Sequence, residues 1–138
     1  MSIHQEAFSV STQGNTEVVD LTGRVGEIVQ RSGILKGLAT VFMPGSTAGI
    51  TTIEYEPGLI HDIKKAAEKW ASKKTKYKHH LTGDDNGQAH VLSALIGASV
   101  SIPVEDRRPQ LGTWQQVVLL DFDTRPRDRR VIVQVMGE

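Results

Sequence analysis

The chain contains no cysteine. That excludes disulfides, thiolate zinc sites and a cysteine nucleophile, so any metal must be held by His, Asp, Glu, backbone or water. Aromatic residues make up only 5% of the sequence, which leaves the core to Val, Ile, Leu and Ala. Neither sign of charge is in excess, with Lys plus Arg and Asp plus Glu at 16 each. A formally neutral chain has no general pull on nucleic acid or acidic membranes, and neither is expected as a partner. No apolar run approaches the roughly 18 residues of a membrane-spanning helix. The start, MSIHQEAFSVSTQ, has neither a basic segment nor a long apolar stretch, so no secretory signal is expected and the cytoplasm is the expected location. Repeats, low-complexity tracts and long linkers are also missing, and 138 residues then imply one domain, 1–138.

What is present reads as alternating short strands and helices. Glu6 to Thr12 alternates in polarity, Gly14-Asn15 signals a turn, and Thr16 to Val19 suits a second strand. Leu21, Val25, Ile28 and Val29 recur at helical spacing, with Asp20 placed to cap the start and Gly33 to end the helix. GLATVFM and GITTIEY, joined by Pro44-Gly45-Ser46-Thr47, read as strands. Pro57 opens a helix whose apolar stripe runs from Leu59 through Ala67 to Trp70. After the polar run SKKTKYKHHLTGDDNG, a short helix is expected with Asn86 near its cap and Val91, Leu92, Leu95 and Ile96 buried. Strand candidates at 98–104, 115–122 and 129–136 complete an order of ββα, ββ, αα, βββ. Strands in pairs and triplets between helices predict an α+β fold with a mostly antiparallel sheet.

Residues 77–90 concentrate the chemistry. His79, His80, Asp84, Asp85 and His90 occur together in a long polar loop. Imidazole and carboxylate are the ligands a cysteine-free chain would offer to Zn²⁺ or a similar ion. His79 and His90 can meet if the loop folds back onto the short helix, whose start would also offer free N–H groups to an anion. The spacing does not fix ligand geometry as HExxH does. A solvated loop bearing surface histidines and a built site therefore both remain open. Elsewhere, Glu54 is a base or ligand candidate with helix capping as its alternative. Ser46 and Thr47 lie in a turn whose N–H groups can form an anion nest. Trp114 can stack on a ring or pack structurally. Arg125, Arg127, Arg129 and Arg130 alternate with Asp121, Asp123 and Asp128, which suits either a neutralised solvated turn or a phosphate clamp with Arg130 best placed.

Several of these blocks together resemble the YjbQ-like family. GSTAGITTIEYEPGL resembles its strand-to-helix segment, the stretch from Tyr77 through DDNGQAH its histidine loop, and VLSALIGAS the helix that follows. LGTWQQ and RRVIVQVMGE are also similar, and the likeness runs from about Val18 to the end. The resemblance implies a mixed, mostly antiparallel sheet curled into a half-barrel with helices packed on one side. It also implies a homotrimer and a divalent metal (Zn or Mg) or an anion near the histidine loop at a subunit boundary. Carried over by position, the matches are His79, His90, Glu54 and Trp114, with Asp85 and Asn86 in the acidic part of the same loop; His79 and His90 are then the candidate metal ligands and Glu54 and Asp85 the candidate catalytic carboxylates. Ser46, Thr47, Asn86, Trp114 and Arg130 would bind substrate or phosphate. The implied activity is of the thiamine-phosphate synthase type, possible as a secondary reaction, on a small phosphorylated metabolite. The alternative is a non-catalytic trimer that binds such a metabolite. One branch of the family begins the strand turn with His-Thr. Here that place is Gly45-Ser46, so His80, water or a carboxylate would have to complete a metal shell.

Overall fold

The computed structural model describes residues 1–138. Eight strands and three α-helices follow the order β1 (Ser2–Thr12), β2 (Glu17–Asp20), α1 (Thr22–Ser32), β3 (Lys36–Phe42), β4 (Ala48–Ile53), α2 (Pro57–Trp70), α3 (Gly87–Ile96), β5 (Ser99–Glu105), β6 (Arg108–Pro109), β7 (Gln116–Asp121) and β8 (Arg127–Gly137). A 3₁₀ turn at Lys78–Thr82 precedes α3. The fold is the expected α+β half-barrel. Its large sheet has the order β1-β8-β3-β5-β6, its small sheet β2-β7-β4, and every paired strand is antiparallel.

Alternation along β3, β5 and β8 turns Ala39, Val41, Ile102, Val104, Val131, Val133 and Val135 inward, where they close over Val25, Ile28 and Val29 of α1. β7 is buried on both faces, which explains its unbroken Val117-Val118-Leu119-Leu120 run. Val117 and Leu119 join the α1 core, while Val118 and Leu120 meet Ala67, Ala89 and Leu92 of α2 and α3. α2 and α3 thus cover the outer face of the small sheet, and α1 fills the curl. Glu6 ties α1 to β1 by accepting from Arg31 Nη2 and Nε at 2.8 and 3.1 Å. The Arg31 guanidinium, followed by His4, holds the Glu6 carboxyl down at about 2. No helix is long and apolar enough to cross a membrane.

Local chemistry sets the helix ends. Asp20 Oδ1 accepts from the N–H and the hydroxyl of Thr22 at the start of α1, and Gly33 takes the left-handed conformation (φ 70°) past its end. Glu56 caps α2 by accepting from the N–H groups of Gly58 and Leu59, with Pro57 in the first turn. Glu54, the capping alternative, takes no part. α3 departs from expectation. Leu92 is buried, but Val91 and Leu95 are exposed, because only one side of this helix meets β4 and α2.

Candidate functional site

The 3₁₀ turn and the first turn of α3 bring His79 and His90 together, with ring centroids 4.2 Å apart and planes tilted by 54°. His79 Nε2 is sealed from solvent and has no hydrogen-bond partner. Asp84 Oδ2 stands 3.9 Å away, too far for a hydrogen bond. His80 turns elsewhere. Its Nε2 accepts from the backbone N–H of Gly87 at 3.1 Å, and its ring meets Tyr77 edge-on. That contact closes the loop and needs a glycine. A Cβ at Gly87 would lie 2.6 Å from Tyr77 Cβ and 3.1 Å from His80 Nε2.

Beneath the loop lies a buried ionic network. Asp123 accepts from the Thr124 N–H (2.7 Å), Asn86 Nδ2 (3.2 Å), Thr47 Oγ1 (2.9 Å) and Arg127 Nε (3.0 Å). Burial pushes its carboxyl up, but the Thr124, Asn86 and Thr47 donors and the Arg127 charge outweigh burial and hold it at about 2. Arg129 grips Asp121 with two bonds (2.7 and 3.0 Å) and donates to Thr47 Oγ1 at 2.7 Å. Asp123 therefore joins the 44–47 turn, through Thr47, to the cap of α3, through Asn86. The histidine loop is positioned by this joint.

The remaining sequence candidates fall in different places. The Thr47 hydroxyl and one N–H of the Asn86 amide donate to Asp123, so the Thr47 hydroxyl is not free to donate to a phosphate, and Asn86 Oδ1 is left as a buried, unpartnered acceptor. Asp85 is tied to the β7–β8 connection, accepting from Thr124 Oγ1 at 2.9 Å with Arg125 at 3.7 Å; Asp84 is the carboxylate beside His79. Arg130 points out of β8 and is exposed, while Arg129 takes the inward position. Ser46 is exposed in its turn and makes no side-chain hydrogen bond. Glu54 and Trp114 flank the Ile53–Gln116 end of the small sheet, whereas Thr47, Asn86 and Asp123 flank the Ala48–Asp121 end. At about 3.3 Å per strand residue the two groups stand roughly 17 Å apart. Both Glu54 and Trp114 face solvent.

No group of three or more His, Asp or Glu side chains converges closely enough to hold a metal ion. A metal held here would take the histidine pair as two of its ligands, the orphaned His79 nitrogen among them. Asp84 or water would have to supply the rest.

The family model described as UPF0047 protein YjbQ-like matches residues 6–138. A UPF0047 protein of Archaeoglobus fulgidus is 38% identical over 129 residues, covering 94% of this chain and 98% of the relative. The chain belongs to the UPF0047 (YjbQ-like) family. A YbjQ-like protein of unknown function from Sulfolobus solfataricus superposes with a TM-score of 0.95 at 34% identity, over 99% of both chains. A hypothetical protein from Aeropyrum pernix gives 0.91 at 36% identity, over 97% of this chain and 98% of that one.

In this YjbQ-like chain the turn residue Gly45 lies against the network. A Cβ there would come within 3.1 Å of Met43 Cε and 3.4 Å of Arg129 Nη1. Sequence reasoning missed Asp121, Asp123 and Arg129 as the frame of the loop. The signal was available in β8, where Arg129 shares the phase of Val131, Val133 and Val135.

Proposed function

We propose that His79 and His90 form the core of a divalent-metal site through which this protein acts on a small phosphorylated metabolite. The observation that carries this reading is the 4.2 Å imidazole pair with a buried, unpartnered Nε2 on His79. A buried ring nitrogen without a partner is costly, and a cation is a partner that two adjacent imidazoles suit. Zn²⁺ matches nitrogen donors better than Mg²⁺, which prefers an oxygen shell. When bound, such an ion would polarise a phosphoryl oxygen or stabilise a leaving diphosphate. The chain's own part is to hold the pair rigid through the Asp123–Asn86 joint and the His80–Gly87 contact.

The reaction we propose within that site is of the thiamine-phosphate synthase type. The bond between a pyrimidine methylene carbon and its diphosphate breaks, the diphosphate leaves, and the thiazole nitrogen supplies the electron pair for the new C–N bond. Glu54 and Trp114 lie at the other end of the small sheet from the Asn86–Asp123 joint that anchors the histidine loop. Their exposure supports an arrangement in which a neighbouring protomer of a homotrimer provides them.

The test is conversion of the thiazole phosphate and pyrimidine diphosphate pair by metal-loaded protein. Turnover that falls at least tenfold in His79→Ala and His90→Ala is expected; unchanged turnover in both would contradict the assignment. The shortage of a third converging ligand favours a second reading, saturable binding of a phosphorylated metabolite without turnover. Conversion above a protein-free control, abolished by His90→Ala, would eliminate that one.

A further inference from the structure

Formal neutrality hides a segregation of charge. Seven of the eight lysines fall between Lys64 and Lys78, a stretch with no arginine and a single acidic residue, Glu68. All seven are exposed. Every ion pair of the chain is made by an arginine, a histidine or the N-terminus, and no lysine takes part. Glu68 is engaged by Ser72 Oγ and the Lys73 N–H. The second half of α2 and the loop after it therefore carry a cationic band that the chain's own carboxylates leave uncompensated.

The band is held in place. Tyr77 donates its hydroxyl to Ser72 O at 2.7 Å, and the Thr75 N–H donates to the same carbonyl at 3.3 Å. Lys73 Nζ donates to Asn15 Oδ1 at 2.9 Å, which fixes the ammonium without neutralising it. Cations ordered in advance lose less freedom when a partner binds. An aromatic ring interrupts the lysines. Trp70, between Lys69 and Lys73 in the sequence, is 61% exposed, and with Leu95 and Ile96 it walls an open apolar pocket of about 350 Å³.

We propose that this band binds single-stranded nucleic acid without sequence preference, its phosphates on the lysines and one base stacked on Trp70. Charge complementarity selects a polyanion. The indole-walled pocket selects one with free planar rings, which a duplex keeps stacked inside itself. Lysine meets phosphate as a point charge and lacks the planar fork with which arginine reads base edges. An acidic membrane or peptide would answer the charge but bring no ring. No contact involves His79 or His90, so the proposal stands or falls apart from the metal site.

Fluorescence anisotropy with the metal-free full chain tests it, using labelled oligothymidylate and oligouridylate of about 15 nucleotides. Affinity for both should fall about twentyfold between about 50 and 200 mM NaCl, the slope of about three phosphate contacts. The double variant Lys74→Gln, Lys76→Gln should reduce that fall to about threefold. Trp70→Ala should weaken binding about tenfold at either salt with the slope unchanged, the worth of one stacked base. Four results would each overturn the proposal: no saturable binding of either oligomer at low salt, a duplex of equal length bound as tightly, affinity that Trp70→Ala leaves unaltered, or capture by phosphatidylglycerol vesicles in place of the oligomers.

Discussion

Asp123 has no exposed surface and stays ionised, because four donors and two nearby guanidiniums replace the water it lost. Folding lowers its pKa from 3.8 to about 2, so its stabilisation is complete above the unfolded value and is lost as pH falls from near 4 towards 2. The difference corresponds to roughly 2 kcal/mol. Asp123→Asn should flatten this acid limb in urea-unfolding midpoints measured from pH 5 to pH 2. At pH 7 it should destabilise the fold by about 3 kcal/mol, since Arg127 and Arg129 lose a buried partner. An unaltered acid limb would show that another carboxylate governs it. The sequence revealed the histidine pair because two metal-competent residues flank a loop that can close. It concealed this network, because Arg and Asp alternating near a proline describe a solvated turn equally well. Asp128, Arg125 and Arg130 are indeed exposed; Asp121, Asp123 and Arg129 are buried by the inward phase of β7 and β8.

At the level of elements, strands and helices were legible wherever period and punctuation agreed. Pro57 with Glu56, and Asp20 with Gly33, mark helix limits by their own chemistry. The 3₁₀ turn and the two-residue β6 have no periodic signature and went unread. So did the exposure of Val91 and Leu95, because an apolar helix does not announce which side remains bare. The 3₁₀ turn matters most, since it aims His79 at His90. Gly87→Ala forces a methyl against Tyr77 and breaks the His80 contact, and should cost about 1–3 kcal/mol by overpacking. The same change should separate the imidazoles, seen as loss of cross-peaks between the two rings by NMR. Glu56→Ala removes a helix cap far from the loop; it should cost about 1 kcal/mol and leave those cross-peaks intact. Equal behaviour of the two variants would refute the link between the Gly87 contact and the pair.

For the whole molecule, the outer face of the large sheet is the feature without an internal explanation. Ile3, Met136, Leu38 and Pro103 form one row across four strands, and Ala7, Ile132, Phe42 and Ser99 another. Between them runs an uncharged polar row of Gln5, Gln134, Thr40 and Ser101, with Gln134 Nε2 donating to Gln5 Oε1 at 2.9 Å. Trp70 and Leu95 add a separate bare apolar patch on the helical side. An exposed, uncharged sheet face with two apolar rows is suited to association. It supports the proposed homotrimer, which would also carry the Glu54–Trp114 end of one protomer towards another. Light scattering at micromolar concentration should give three times the 15.1 kDa chain mass. The double variant Leu38→Lys, Met136→Lys should dissociate it, and a monomeric unaltered protein would oppose the assembly.

In the proposed function His79 and His90 act together on one cation. Titration of the metal-free chain with Zn²⁺, followed through the imidazole nitrogen resonances, addresses this directly. The ring nitrogens of His79 and His90 should shift together and saturate at equimolar metal, while His80 holds its bond to Gly87 and His4 and His61 stay in place. Zinc that leaves both rings unshifted, or moves one without the other, would contradict the account.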